Sequence, residues 1–362
     1  MNTVTLPANK EKVALTTAKV LHIINDLSRN GGAQRFVIDL VLPPPAGYEI
    51  RVITLDDDND FKQELEAQGI SCFVWRSLSL KEKWQLLRWP DLIHGHLFPS
   101  NYLALAAFGK KRIQTEHATH NRRRDHIWLK PFEVFLYWRY NVTVCITDQV
   151  KQALESFVPC WKKHYEVIFN GVDLTKFSLQ PKQPPEDNAT IKIGMVGRFH
   201  AYKDHPTLIR ALSRLPNNYE LHLAGDGDRK DEYRQLVKTL GLEQRVFFHG
   251  VQEDIPTFLD SLTLYVQSST VEGFGLAAVE AMAAGVPVLA TRVDGMKEVI
   301  GNDAYLFDVG DDDELAVEIR ALCTQPTTYH NAAEYAVSRC QRFTLQTFRT
   351  QYYKTYKRLI NG

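Results

Sequence analysis

The sequence predicts an α/β chain made of two units, each a parallel sheet covered by helices on both faces. Three observations carry that prediction. Short apolar runs alternate with helical patterns, once before residue 170 and again after residue 190, and such alternation buries strands on both faces. Between the two series, residues 175–189 turn polar and Pro-rich (Gln180-Pro181-Lys182-Gln183-Pro184-Pro185), which is linker composition. The length, 362 residues, suits two domains.

In chain order, residues 19–25 open the first unit as a strand, followed by a helical pattern over 33–41. Strands are expected at 49–55 and 71–75 around a helix at 61–68. Further strands are expected at 90–94, 113–116, 141–147 and 165–169, all short and apolar. After the linker, strands are expected at 191–196, 220–224, 246–249, 262–267 and 286–290. Helices are expected at 206–214, 230–240, 255–261 and 276–284. The divisions that follow are a flexible tail over 1–18, a first domain over 19–174, a linker over 175–190, a second domain over 191–343 and a closing helix from about 344 to 362, rich in Tyr, Lys and Arg.

Composition narrows the function. Lys plus Arg equals Asp plus Glu at 43 each, so no nucleic-acid partner is implied. Basic residues gather at Lys110-Lys111-Arg112, Arg122-Arg123-Arg124 and Lys162-Lys163, all in the first half. The five cysteines (Cys72, Cys145, Cys160, Cys323, Cys340) lack the spacing of a disulfide framework or zinc site. A reduced, cytoplasmic setting is expected, with no secretory signal and no apolar run approaching a membrane span.

The densest chemistry lies at Glu272-Gly273-Phe274-Gly275-Leu276, which leads into an Ala-rich helix carrying Glu280. Two of the three residues Gly273, Phe274 and Gly275 lack a Cβ, so backbone can approach a ligand closely. The helix starts at that turn, and its free N–H groups form an anion site suited to phosphate. Glu272 and Glu280, beside such a site, are suited to accept hydrogen bonds from neutral hydroxyls of a ribose or a sugar. At the carboxyl end of the strand 191–196, Gly197 and Arg198 precede Lys203. A guanidinium fork and a flexible ammonium there can neutralise a diphosphate.

These motifs, in this order from about residue 20 to 291, resemble the retaining glycosyltransferases of the GT-B fold, family 4. The resemblance rests chiefly on the pair Glu272 and Glu280 and on Arg198 with Lys203. It implies two Rossmann-like domains facing across a cleft, with the last helix crossing back to the first domain. It implies a sugar donor linked to a nucleoside diphosphate, UDP or GDP, and a glycan or lipid-linked acceptor of bacterial surface polysaccharide, with no metal cofactor. Arg198 and Lys203 would grip the diphosphate, Glu280 the ribose and Glu272 the transferred sugar. Phe274, Gly275 and Leu276 would offer backbone N–H groups. Asn30-Gly31-Gly32-Ala33-Gln34-Arg35 resembles the family's glycine loop, with Gly32 approaching the diphosphate from the opposite domain. His117, in Thr115-Glu116-His117, matches the active-site histidine, with His120 as a competitor. Val251, after Gly250, falls where relatives hold the base. His94 and His96 read as acceptor-side lining or structure, and Asn170-Gly171-Val172-Asp173 as hinge-proximal structure. The family often has glycine after its lysine; here Asp204 stands there.

Three alternatives remain open at this stage. A sugar-nucleotide epimerase of the same fold would turn over without acceptor. A non-catalytic subunit would have lost Arg198, Lys203 or the glutamates, yet all are present. An NAD-dependent oxidoreductase would need a complete glycine fingerprint, and neither Gly31-Gly32 nor Gly225-Asp226-Gly227 supplies one. Finally, the basic and aromatic segment from Arg122 to Trp138 could lie on the cytoplasmic face of an anionic inner membrane, or form a partly buried helix with snorkelling basic ends.

Overall fold

The computed structural model describes residues 17–29, 31–119, 123, 126–158 and 164–362. Most of the expected tail, together with Asn30, His120, Arg122, Arg124, Cys160, Lys162 and Lys163, lies outside them.

The first sheet holds β1 (Ala18–Ile24), β2 (Tyr48–Thr54), β3 (Ser71–Val74), β4 (Leu92–His96), β5 (Lys111–Glu116), β6 (Val142–Cys145) and β7 (Tyr165–Val167). Every pair is parallel, in the order β3-β2-β1-β4-β5-β6-β7. Its helices are α1 (Gly32–Val41), α2 (Lys62–Ala67), α3 (Leu80–Arg88), α4 (Ser100–Leu103), α5 (Lys130–Arg139) and α6 (Asp148–Phe157). The second sheet, also parallel, runs β10-β9-β8-β11-β12-β13. Its strands are β8 (Ile191–Val196), β9 (Tyr219–Ala224), β10 (Val246–Gly250), β11 (Leu264–Gln267), β12 (Val288–Thr291) and β13 (Leu306–Phe307). Its helices are α7 (His205–Ser213), α8 (Lys230–Thr239), α9 (Ile255–Asp260), α10 (Leu276–Ala283), α11 (Met296–Ile300), α12 (Asp312–Thr324) and α13 (Pro326–Cys340). The last helix is α14 (Leu345–Asn361). Two parallel-sheet α/β domains of this kind are the GT-B architecture.

Both faces of each sheet are buried, as the apolar runs require. Along β1, Val20 and Ile24 enter one core with α1, while Leu21 and Ile23 enter another with α3 and α5. The period of two in side-chain direction separates the two cores. Several helices missing from the periodicity reading carry local start signals. Ser79 and Glu82 close a capping box on α3, Thr147 caps α6 through Val150 N at 3.1 Å, and Asp311 caps α12 through Glu314 N at 2.8 Å.

Residues 178–190 carry neither helix nor strand. The chain returns to the first domain at an isolated bridge between Val172 and Thr344, after which α14 begins under a Thr344 cap. Phe348, Tyr352 and Tyr356, spaced four apart on one face of α14, are all buried against Phe36 and Val20. Tyr353 Oη donates to Leu40 O at 2.7 Å and Arg349 Nε to Asp39 O at 2.6 Å, which fastens α14 along α1.

Candidate active site

The carboxyl ends of both sheets face a cleft of 890 Å³. The twelve residues that the sequence assigned to catalysis or donor binding line it: Gly32 and His117 from the first sheet's side, and Gly197, Arg198, Lys203, Val251, Glu272, Gly273, Phe274, Gly275, Leu276 and Glu280 from the second.

The second side is built first by glycines. Gly275 takes φ 91° and caps α10, so the helix N-terminus opens onto the cleft. A Cβ on Gly273 would collide with the carbonyl oxygen of His117. That glycine is what lets the two domains touch here. Behind it, Ser269 Oγ donates to Glu272 Oε2 at 3.2 Å, and Ser269 O accepts from Thr291 Oγ1 at 2.5 Å. Strand-end hydrogen bonds thus fix the carboxylate.

Glu272 does not stand alone. Lys203 Nζ reaches its Oε2 at 2.5 Å, so the two charges neutralise each other. The sequence reading treated them as independent groups. Lys203 ends a one-turn helix, and Asp204 follows with φ 43° and ψ 44°. This is the left-handed conformation that glycine adopts freely and aspartate tolerates. Asp204 Oδ2 accepts from Thr207 Oγ1 at 2.7 Å, and Ser268 Oγ donates to Asp204 O at 3.0 Å. Aspartate thus holds here the left-handed conformation that the expected glycine would adopt freely. Arg198 is exposed, and among the described residues its guanidinium has no ion pair or hydrogen bond, while its carbonyl accepts from His200 N at 2.8 Å.

Glu280 is half-buried, one turn into α10. Burial pushes its carboxyl up to about 7, opposed by the Arg35 and Lys176 charges and reinforced by Asp39. Arg35, held by Asp39 at 2.9 Å, lines the cleft beside Gly32. Sequence reasoning quoted Arg35 in the glycine loop without giving it a role; its signal was its place in the first turn of α1. Arg29, Asp58 and Asp226 also line the cleft and were missed. Asn170, read as hinge-proximal structure, lines it too, and among the described residues its buried Oδ1 has no partner.

His117 has its ring edge-on to Phe36, with centroids 4.9 Å apart. Burial lowers its pKa to about 4, so it is a neutral imidazole at pH 7. Among the described residues its buried Nε2 has no partner. His94 and His96 are a correction. They are fully buried under the first sheet's end and do not line the cleft, so of the two readings only the structural one survives. His94 Nδ1 and Nε2 contact Tyr356 Oη at 2.6 Å and Thr115 Oγ1 at 2.8 Å. His22 Nδ1 meets His96 Nε2 at 3.1 Å, with the two rings stacked. The three histidines could converge on a metal ion, since one nitrogen from each lies within 4.8 Å of the others. However, both nitrogens of His94 are already engaged by hydroxyls.

Comparison with known proteins follows this geometry. Residues 30–176 match the family described as Glycosyltransferase Family 4, and residues 176–339 match Glycosyl transferases group 1. The lipopolysaccharide core biosynthesis glycosyltransferase LpsD of Rhizobium meliloti is 32% identical over 319 residues, 85% of this chain and 89% of that protein. The Campylobacter jejuni N-acetylgalactosamine-N,N'-diacetylbacillosaminyl-diphospho-undecaprenol 4-alpha-N-acetylgalactosaminyltransferase is 26% identical over 314 residues, 79% of this chain and 84% of that one. Anabaena HepE, solved with UDP, superposes with a TM-score of 0.82 at 24% identity, over 94% of this chain and 99% of that one. The chain belongs to the family 4, group 1 glycosyltransferases of the GT-B fold.

Proposed function

We propose that this glycosyltransferase moves a sugar, with retention of configuration, from a UDP- or GDP-sugar to a glycan or lipid-linked acceptor during bacterial surface-polysaccharide synthesis. The observation that carries the reading is the meeting, in one cleft, of two cations and a helix N-terminus with two carboxylates and a neutral imidazole. A relative named for lipopolysaccharide core biosynthesis supports the pathway, and HepE, solved with UDP-glucose, supports the donor class.

In the proposed reaction the bond from the sugar's C1 to the diphosphate oxygen breaks, and its electron pair leaves with the diphosphate. Arg198, Lys203 and the N–H groups opening α10 stabilise that charge where it develops. The acceptor hydroxyl attacks C1 from the same face and gives its proton to the departing phosphate oxygen. Glu280 accepts from the ribose hydroxyls. Glu272 accepts from the sugar, and Lys203 is shared between Glu272 and the diphosphate. His117, uncharged, hydrogen-bonds a sugar hydroxyl through Nε2 and fixes the sugar's pose. The side-chain cations supply the positive charge, so the scheme calls for no metal.

The test is melting against UDP, GDP, ADP, dTDP and NAD, with Arg198→Ala and Glu280→Ala alongside. A diphosphate at 100 times its Kd should stabilise the protein by about 2.7 kcal/mol. Arg198→Ala should abolish that shift and lower transfer roughly 10²–10³-fold, while leaving the melting point of the free protein unchanged. A shift with NAD alone, or with no diphosphate, would defeat the reading. An inverted anomeric centre in the product would defeat same-face attack.

A further inference from the structure

We propose that Glu298 is a positioning residue for the sugar transfer proposed for this cleft, and its catalytic consequence rests on that reading. Its carboxylate, on the second domain, caps helix α6 of the first and so keeps His117 against the donor turn. The first N–H groups of a helix have no partner within it. On α6, Thr147 Oγ1 accepts from Val150 N at 3.1 Å. The two N–H groups before it turn to the opposite domain. Glu298 Oε2 accepts from Asp148 N at 2.9 Å and Glu298 Oε1 from Gln149 N at 2.8 Å. One carboxylate thus closes two N–H groups 150 and 149 residues away in the chain, at the helix end whose dipole favours negative charge. Among the described residues the carboxylate has no other hydrogen bond or ion pair. Burial raises its pKa, and the charges of Asp148 and Asp294 add to the rise, so the two N–H groups of α6 are what hold the ionised form.

Both elements joined in this way carry the site. Just ahead of α6, Ile146 lines the cleft, and its N–H donates to Glu116 O at 3.3 Å, one residue before His117. The start of α6 is therefore tied to the strand end that presents the imidazole. On the other side, α11 begins at Gly295 with φ 82°. A Cβ there would sit 2.5 Å from Glu272 O and 2.7 Å from Gly273 O, and one on Gly275 would sit 2.5 Å from Met296 Sδ. The backbone of the donor turn thus rests on the first residues of α11. Arg339 holds the far end of that helix, with Nε donating to Val299 O at 2.9 Å and Nη2 to Glu298 O. Glu298 projects from this anchored turn.

Apolar packing at the junction does not set this register by itself. Ile146 and Val150 share one core with Phe274, Met296 and Val299. Burial of that kind is non-directional and tolerates sliding, and domains of one chain move against each other by default. Two charge-assisted hydrogen bonds to successive N–H groups are directional, and a small slip breaks both. The slip they prevent is the one that matters for transfer. A Cβ on Gly273 would meet His117 O at 2.4 Å, so the imidazole's own backbone touches the donor turn. A misplacement of about 1 Å between groups that must act together can cost about a hundredfold in rate. Nucleotide binding should not feel it, because Arg198, Lys203 and the start of α10 all sit on the second domain.

The experiment compares the full chain with Glu298→Ala and Glu298→Gln, at a temperature where all three are folded. It reads amide hydrogen exchange residue by residue and steady-state transfer from UDP- and GDP-sugars. In the Ala variant, exchange at Asp148 and Gln149 should quicken about tenfold or more, while Val150, held by Thr147, keeps its protection. Its kcat should fall about tenfold or more, with the donor KM within about twofold of wild type. Glu298→Gln keeps the volume and one acceptor oxygen, and should lie between the two on both readouts. Unchanged exchange at the two amides would overturn the cap. Quickened exchange with a wild-type kcat, or a raised KM with kcat unchanged, would make the contact a structural staple and overturn the positioning role. If the wild-type chain transferred no sugar, the proposed function would fail and the positioning role with it, while the exchange contrast at Asp148 and Gln149 would stand, which tells the two failures apart.

Discussion

The two walls of the cleft are built by opposite means. The wall on the second sheet is local: Glu272, the glycine turn and Glu280 lie within nine residues, and Arg198 with Lys203 within six. Their geometry follows from one strand end and one helix start apiece. The wall on the first sheet is assembled from afar. His117 packs on Phe36 of α1, which packs on Phe348 and Tyr352 of α14, over 300 residues down the chain. Beneath it, Tyr356 Oη lies 3.5 Å from His22 Nε2 and 2.6 Å from His94 Nδ1. A wall made locally should tolerate damage to the rest of its domain. One made from distant pieces should not.

The largest expected effect tests that contrast directly. Tyr352 is fully buried, and its hydroxyl meets Thr115 Oγ1 at 3.0 Å. Tyr352→Ala removes the ring from the core that joins α14 to α1 and should cost about 3–5 kcal/mol in urea unfolding. Tyr352→Phe keeps the packing, loses one hydrogen bond and should cost about 1 kcal/mol. In the folded Phe variant, nucleotide diphosphate should still raise the melting point as in wild type, because the donor wall does not pass through α14. Loss of that shift would mean the walls are not separable.

The same contrast explains what could be read from the sequence. Parallel sheets on both sides of a linker were legible because each buried strand is a short apolar run. The donor wall was legible because glycines, cations and carboxylates at short spacing constrain the backbone that carries them. The role of His22 was not legible. Its partners His94, His96 and Tyr356 become neighbours only through the register of β1 with β4 and the return of α14. For the same reason His94 and His96 could be read as cleft lining until their burial was known. The Lys203–Glu272 pair escaped notice because it joins two strand ends 69 residues apart. Arg35 escaped because a lone arginine in a first helical turn is an ordinary surface residue until the half-buried Glu280 carboxylate, lining the same cleft, is found to feel its charge.

That carboxylate gives the second test, of intermediate size. Glu280 titrates at about 7 when folded, against an ordinary 4.5, with burial the main cause. Between those values the folded state holds a proton that the unfolded state has released, so stability falls as pH rises through this window and levels off above it. Glu280→Gln removes the titration. The variant should match wild type near pH 4.5 and exceed it above pH 7, by about 1–2 kcal/mol after allowance for partial exposure. Donor binding should move the opposite way. The ionised carboxylate is the stronger acceptor for ribose hydroxyls, so wild-type affinity should rise through pH 7 while the Gln variant stays flat and weak. Parallel stability curves for the two proteins from pH 5 to pH 8 would show that the carboxyl is not desolvated.

The smallest effect concerns Asp204, which stands where the resemblance leads one to expect glycine. Asp204 holds a left-handed backbone, which costs a non-glycine residue roughly 1–2 kcal/mol. The hydrogen bond from Thr207 Oγ1 at 2.7 Å offsets part of that. Asp204→Gly relieves the strain, loses the bond and loosens the unfolded chain by about 0.4–1 kcal/mol, so the terms nearly cancel and the net change should stay under about 1 kcal/mol. Asp204→Ala keeps the strain and loses the bond, and should cost about 1–2 kcal/mol. The expected melting order is therefore wild type, close to Gly, above Ala, with nucleotide-induced shifts alike in all three because Lys203 keeps its position. If Ala melted with Gly, strain would not be what distinguishes this turn. If nucleotide binding fell in the Gly variant alone, Asp204 would be holding Lys203 in place, and the donor wall would be less local than its spacing suggests.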